Sequence, residues 1–134
     1  MINTASIDTS LIVRVLVRDD YDKRQKVLDL LESGPRFILF DFALYETVYV
    51  LETVYEKSRE EIIDLISFFL ARYDDKITYN HDLTSTAFPC YLEHPKLSFA
   101  DCCLAGMAEI EGAEPLFTLD KKLAQQHPSA KLLA

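Results

Sequence analysis

Four carboxylates stand where an α/β chain does its chemistry: Asp8, Glu46, Asp101 and Asp120. In open parallel sheets, ligands bind beyond the carboxyl ends of the strands. Asp8 closes a short apolar start, and Asp120 lies just past the apolar stretch Leu116–Thr118. Glu46 falls about a turn and a half into the helix expected after a second strand, some ~7 Å from Asp41 at ~1.5 Å per residue. Asp101 falls in the first turn of a helix opening at Ser98. Several carboxylates in one pocket repel each other, and burying such charges unpaired costs several kcal/mol each. A hard divalent cation with oxygen ligands removes that cost, and Mg²⁺ or Mn²⁺ suits an all-oxygen set. Each acid also has a plainer use. Asp8 and Asp120 precede helical runs and can cap them, while Ser98 with Asp101 matches a capping box. Glu46, between Tyr45 and apolar Val48, is costly if buried and then needs a partner.

The elements that must position these groups alternate along the whole chain, the pattern of a parallel sheet flanked by helices. A strand near Ala5–Asp8 leads into a helix over Thr9–Val17, then a helix over Asp22–Ser33 ended by Gly34-Pro35. Arg36–Phe40 reads as the best strand, short and apolar between turn signals. Asp41 is a candidate cap for a long helix over Phe42–Glu56. Ser58 and Glu61 form a capping box for Arg59–Tyr73, and a weaker strand spans Lys76–Tyr79. Asp82 is a candidate cap for a helix that Pro89 is expected to kink or end. A helix over Ser98–Glu111 closes at Gly112, followed by strand Leu116–Thr118, helix Asp120–Gln126 and an edge strand over Ser129–Leu133. Glu46-Thr47-Val48-Tyr49 is echoed by Glu52-Thr53-Val54-Tyr55. Six residues are about 240° of helix, so the two glutamates face different ways and only Glu46 lies near the strand ends.

Composition bounds the reading. The chain has 134 residues, 49% of them hydrophobic and 27% charged, as in an ordinary folded domain. No linker or low-complexity segment divides it, so one domain over 1–134 is expected. Fourteen basic against 22 acidic residues give −8, which argues against gripping nucleic acid by overall positive charge. The longest stretch without Asp, Glu, Lys or Arg is ten residues, Leu83–Leu92, half the ~20 that span a bilayer. The opening Met1–Asp8 has neither a basic start nor an apolar run, so a cytoplasmic chain without a secretory leader is expected. Cys90, Cys102 and Cys103 lack metal-ligand spacing and read as packing residues. His81, His94 and His127 form no ligand pair and read as surface or loop residues. Tyr45, Tyr49 and Tyr55 read as core and groove. Only three glycines occur, so there is no phosphate-binding loop and no nucleotide cofactor is expected. A haloacid-dehalogenase-type phosphatase needs an Asp where Ser10 stands, and a receiver domain needs one where Tyr79-Asn80 stands.

Four segments together resemble the acidic motifs of PIN-domain proteins. They are Ile7-Asp8-Thr9-Ser10, Leu44-Tyr45-Glu46-Thr47-Val48, Leu97-Ser98-Phe99-Ala100-Asp101-Cys102 and Phe117-Thr118-Leu119-Asp120-Lys121-Lys122-Leu123. Their order and separations fit over nearly the whole chain, and the size is closest to the VapC-type toxins of bacterial toxin–antitoxin pairs. The resemblance implies a three-layer α/β/α domain with a central, mainly parallel sheet of four or five strands. It implies a metal-dependent endoribonuclease in which Asp8, Glu46, Asp101 and Asp120 hold one or two Mg²⁺ or Mn²⁺ ions that activate water toward a phosphodiester. Thr118 matches a hydroxyl position of the family and would orient a carboxylate or water. Ser10 departs from the Asn common there. Arg14, Arg18, Lys121 and Lys122 are candidate contacts to the RNA backbone. The implied partners are an RNA substrate, an antitoxin protein and a second copy of the chain, with no membrane. The contrasting expectation is a PIN-like module that binds a protein or RNA without cutting it.

Overall fold

The computed structural model describes residues 3–133, which divide into two compact units that meet in the sequence between Asn80 and His81. Both are α/β, and every strand pair is parallel.

The first unit runs β1 (Thr4–Ser6), α1 (Thr9–Val17), α2 (Tyr21–Ser33), β2 (Arg36–Ile38), α3 (Asp41–Thr53), α4 (Arg59–Arg72) and β3 (Ile77–Thr78). Strand order is β1-β2-β3, with Ala5 beside Phe37 and Phe37 beside Ile77. The two intervening helix pairs supply the crossovers that parallel neighbours require. From Arg36 to Phe40 the side chains alternate, Phe37 and Leu39 buried, Ile38 and Phe40 exposed. β2 is therefore one-sided, and it ends at Ile38 rather than at the expected Phe40, which already caps α3. Ile12, Leu31, Phe37, Val48, Leu51, Ile62 and Ile66 are almost completely buried. Each such side chain contributes about 1.5–3 kcal/mol relative to its exposed state.

Helix boundaries follow local signals closely. Asp20 caps α2 through Lys23 N–H at 3.1 Å, so that the helix opens at Tyr21, one residue before the expected Asp22. Ser58 and Glu61 form the expected capping box of α4. Asp41 is the first residue of α3 rather than its cap; Phe40 takes the cap position and makes no side-chain bond to the helix.

The second unit runs α5 (His81–Glu93), α6 (Phe99–Ile110), β4 (Leu116–Thr118), α7 (Lys121–Gln126) and β5 (Ala130–Leu132). β4 and β5 pair with Leu116 beside Ala130 and Thr118 beside Leu132. In place of the one sheet of four or five strands that was expected, the described strands are hydrogen-bonded as three in one unit and two in the other. Pro89 neither ends α5 nor stops its hydrogen bonding, since His94 N–H reaches Cys90 O at 2.9 Å. Pro89 is exposed, while Leu83, Ala87, Phe88, Cys90 and Tyr91 bury one face of the same helix. That packing outweighs the amide hydrogen bond that Pro89 cannot donate. Among the described residues no helix is long and apolar enough to cross a membrane.

Candidate active site

Asp8 follows β1 by two residues and is the N-cap of α1. Its Oδ1 accepts the Ser10 backbone N–H at 3.0 Å and the Ser10 hydroxyl at 2.6 Å. The Ser10 hydroxyl holds the Asp8 carboxyl below its usual range; partial desolvation opposes this, and the Leu11 and Ser10 N–H groups add to it. A serine in this position therefore anchors the carboxylate through both its backbone and its side chain.

Glu46 lies in α3, about one and a half turns in from the first residue of the helix, Asp41. It is exposed, so the burial cost foreseen for it does not arise. The Thr9 hydroxyl, one residue after Asp8, donates toward Glu46 Oε1 at 3.4 Å and Ala43 O at 3.3 Å. A cavity of about 500 Å³ holds both carboxylates, lined by Ser6, Ile7, Asp8, Leu11, Phe40, Phe42, Ala43 and Glu46. The structure thus brings Asp8 and Glu46 to one place at the carboxyl ends of β1 and β2. Thr9, Phe40 and Phe42 join them without having been singled out. Thr9 could have been found from its place beside Asp8, whereas Phe40 and Phe42 carried no signal beyond an apolar run. Glu52 does not line this cavity, as its position on the helix requires.

In the second unit the acids keep their capping roles. Asp101 is half-buried and reciprocates with Ser98: its N–H reaches Ser98 Oγ at 3.1 Å, and Ser98 N–H reaches its Oδ2 at 3.4 Å. Asp120 caps α7, its Oδ1 accepting from Lys122 N–H at 2.9 Å and Leu123 N–H at 3.3 Å. Its own N–H donates to Thr118 Oγ1 at 2.9 Å. Thr118 therefore fixes the backbone from which the carboxylate projects. Capping occupies one oxygen of Asp120 and leaves Oδ2 without a hydrogen bond among the described residues, and a carboxylate has about four acceptor positions in all.

Asp8 with Glu46 supplies hard oxygen donors from two elements, the donor type that Mg²⁺ and Mn²⁺ take. Among the described residues no three His, Cys, Asp or Glu side chains form a group placed to hold a metal ion.

The remaining candidates differ in how they are engaged. Arg14 is ion-paired with Asp19, whose other oxygen accepts from Tyr55 Oη at 3.3 Å. Arg14 is thus held by an acid rather than presented to a phosphate. Arg18, in the left-handed region at φ 61°, lines a separate cavity of about 290 Å³ with Arg24, Arg72 and Tyr73. Lys121 and Lys122 are exposed in the first turn of α7. His127 is not a surface residue: it is buried, and its Nδ1 accepts from Ser129 N–H at 3.1 Å. Tyr49, expected in the core or a groove, is 56% exposed.

The family model of the PIN domain matches residues 5–127. Among solved structures, the chain is similar to VapBC2 from Rickettsia felis bound to a DNA fragment from their promoter. The identity is 16%, 97% of each chain is covered and the TM-score is 0.40. It is also similar to the sarcin–ricin loop cleaving toxin VapC20 from Mycobacterium tuberculosis. There the identity is 17%, covering 82% of this chain and 84% of that one, with a TM-score of 0.40. No curated protein matches the chain.

Proposed function

The chain belongs to the PIN-domain family, and from that premise we propose that it is a metal-dependent endoribonuclease, the toxin of a VapBC-type pair, acting as one domain over residues 1–134. The observation that carries this reading is the joint lining of one cavity by Asp8 and Glu46 at the carboxyl ends of two parallel strands. Asp8, Glu46, Asp101 and Asp120 are the proposed ligands of Mg²⁺ or Mn²⁺. When bound, the cation would activate water and offset charge on the phosphodiester. The chain's own residues supply position. Ser10 holds Asp8 ionised, Thr9 steadies Glu46, and Thr118 fixes the backbone of Asp120. Lys121 and Lys122, beside Asp120, are proposed contacts to the RNA backbone; the ion pair of Arg14 makes it the weakest of the basic candidates. The proposed setting is the cytoplasm, with an antitoxin and a second copy of the chain as partners.

A second reading has its own support. Asp8 and Asp120 cap helices and Asp101 completes the capping box of α6, so a binding module that keeps them for stability alone is the alternative. Cleavage of total and transfer RNA with Mg²⁺ or Mn²⁺, run beside Asp8→Asn and Glu46→Gln, separates the two. Asparagine caps as well as aspartate, so Asp8→Asn is expected to keep the melting temperature of the metal-free protein and lose at least ~100-fold in cleavage, on the scale of a missing metal ligand. Glu52→Gln is expected to cut like the parent. No cleavage, together with no change in melting temperature on adding either cation, would leave only the binding module.

A further inference from the structure

Contacts between α5 and α6 run in opposite directions along the two helices, so that Thr86 meets Gly106 and, one turn on, Cys90 meets Cys102. At Gly106 there is no room for a methyl group: a Cβ there would lie 2.5 Å from Thr86 Oγ1 and 2.9 Å from Thr86 Cβ. Thr86 cannot easily turn aside, because its hydroxyl is engaged with the carbonyls of Asp82 at 2.9 Å and Leu83 at 3.2 Å. The two backbones are therefore drawn close at this level, and the next turn inherits that closeness. There Cys90 Sγ and Cys102 Sγ stand 2.6 Å apart, inside the ~3.5–4.0 Å at which unbonded heavy atoms ordinarily pack. Phe99 closes the far side, its ring 5.9 Å from Phe88 and 5.4 Å from Tyr91. Cys102 is fully buried and Cys90 is 7% exposed.

We propose that Cys90 and Cys102 form a reversible disulfide that clamps α5 to α6, with a peroxide as the two-electron oxidant. The Cys90 thiol, the more exposed of the two, gives up its proton and attacks one peroxide oxygen. The O–O bond breaks, the sulfur becomes a sulfenic acid, and the second oxygen leaves as water. The Cys102 sulfur then attacks the Cys90 sulfur; the S–O bond breaks, and the hydroxide departs with the Cys102 proton as a second water. Two thiols and one hydrogen peroxide thus become one disulfide and two waters, the sulfurs losing the two electrons that the peroxide gains. A dithiol reductant reverses the step by exchange. Cys103 is about 100° further round α6 and takes no part. The closed loop contains Ser98 and Asp101, so the bond fixes the first turn of α6.

The test is a hydrogen peroxide titration of the full chain, followed by unfolding, alkylation and peptide mass mapping. The expected result is a mass loss of about 2 Da, a cross-link joining Cys90 to Cys102, alkylated Cys103, and reversal by dithiothreitol. The melting temperature is expected to rise by about 10 °C. Cys103→Ser should give the same cross-link, and Cys102→Ser should give neither the cross-link nor the rise. Replacing a fully buried side chain can itself unfold the chain, so the map of the unsubstituted protein decides on its own. A cross-link through Cys103, a covalent dimer, or Cys90 and Cys102 both still alkylated after peroxide has oxidised Cys103 would overturn the proposal.

Discussion

Asp8 divides its work between its oxygens: Oδ1 is committed to Ser10, and the carboxylate as a whole faces the cavity it shares with Glu46. Because the Ser10 hydroxyl lowers the Asp8 pKa in the folded chain, the sign of its effect on stability follows. The contribution is present above the unfolded carboxyl range, about pH 4, and is lost as the pH falls through the folded value. Ser10→Ala is expected to raise the Asp8 pKa toward its ordinary value. A carboxyl ¹³C titration by NMR checks this, and an unmoved Asp8 would show that the backbone N–H groups do the work instead. At this scale much was readable in advance. An Asp directly before a helical run announces a cap, and Asp8 and Asp120 are caps; Ser98 with Asp101 announces a capping box, and that too is present. Glu46 was less readable. Its exposure, and its tie to a hydroxyl 37 residues away, depend on how α1 and α3 meet, which no local pattern encodes.

Elements repeat this division between local and distant causes. The caps Asp8 and Asp120, the two capping boxes, the Gly34-Pro35 stop and the bounds of α1 and β4 come from neighbours in sequence and match what the residues announce, whereas Asp41 and Asp82 fall inside their helices instead of capping them. Helix α5 departs further. Pro89 is a breaker by every local rule, yet the helix continues because its apolar face is packed against α6. The same packing makes Gly106 informative. An alanine ordinarily gains up to ~1 kcal/mol over glycine inside a helix. Here the added methyl meets Thr86 at 2.5 Å, and overpacking of this kind costs about 1–3 kcal/mol. Gly106→Ala is therefore expected to be no better than neutral and, if the helices cannot separate, destabilising by 1–2 kcal/mol on the scale of that overpacking cost. Urea unfolding measures it. Pairing the change with Thr86→Ala should recover part of the loss, since the hydroxyl is removed while the Thr86 Cβ contact remains. A gain of the full helix-propensity value by the single substitution would mean that α5 and α6 do not approach as closely as described.

For the whole molecule, the alternation of helices and strands was enough to give the α/β class, and the net charge of −8 was enough to direct attention to carboxylates rather than to a basic groove. Strand partnership was not readable: Ala5 pairs with Phe37 and Phe37 with Ile77, choices made between residues more than thirty positions apart in the chain. The last strand shows what such distant pairing does. Leu133 N–H donates to Thr118 O at 2.8 Å, Leu116 N–H donates to Ser129 O at 2.7 Å, and Thr118 Oγ1 in turn accepts from Asp120 N–H. β5 carries none of the proposed ligands, yet β4 keeps its register, and Asp120 its footing, through it. Deleting residues 130–133 would leave every acid in the polypeptide while releasing Thr118. Hydrogen exchange at Leu116 and Asp120 amides is expected to quicken in that deletion, and amides that stay protected would show that α7 alone suffices. A few residues without chemistry of their own thus act as a latch, and proteolytic trimming there would loosen the footing of Asp120 without removing one of the proposed ligands.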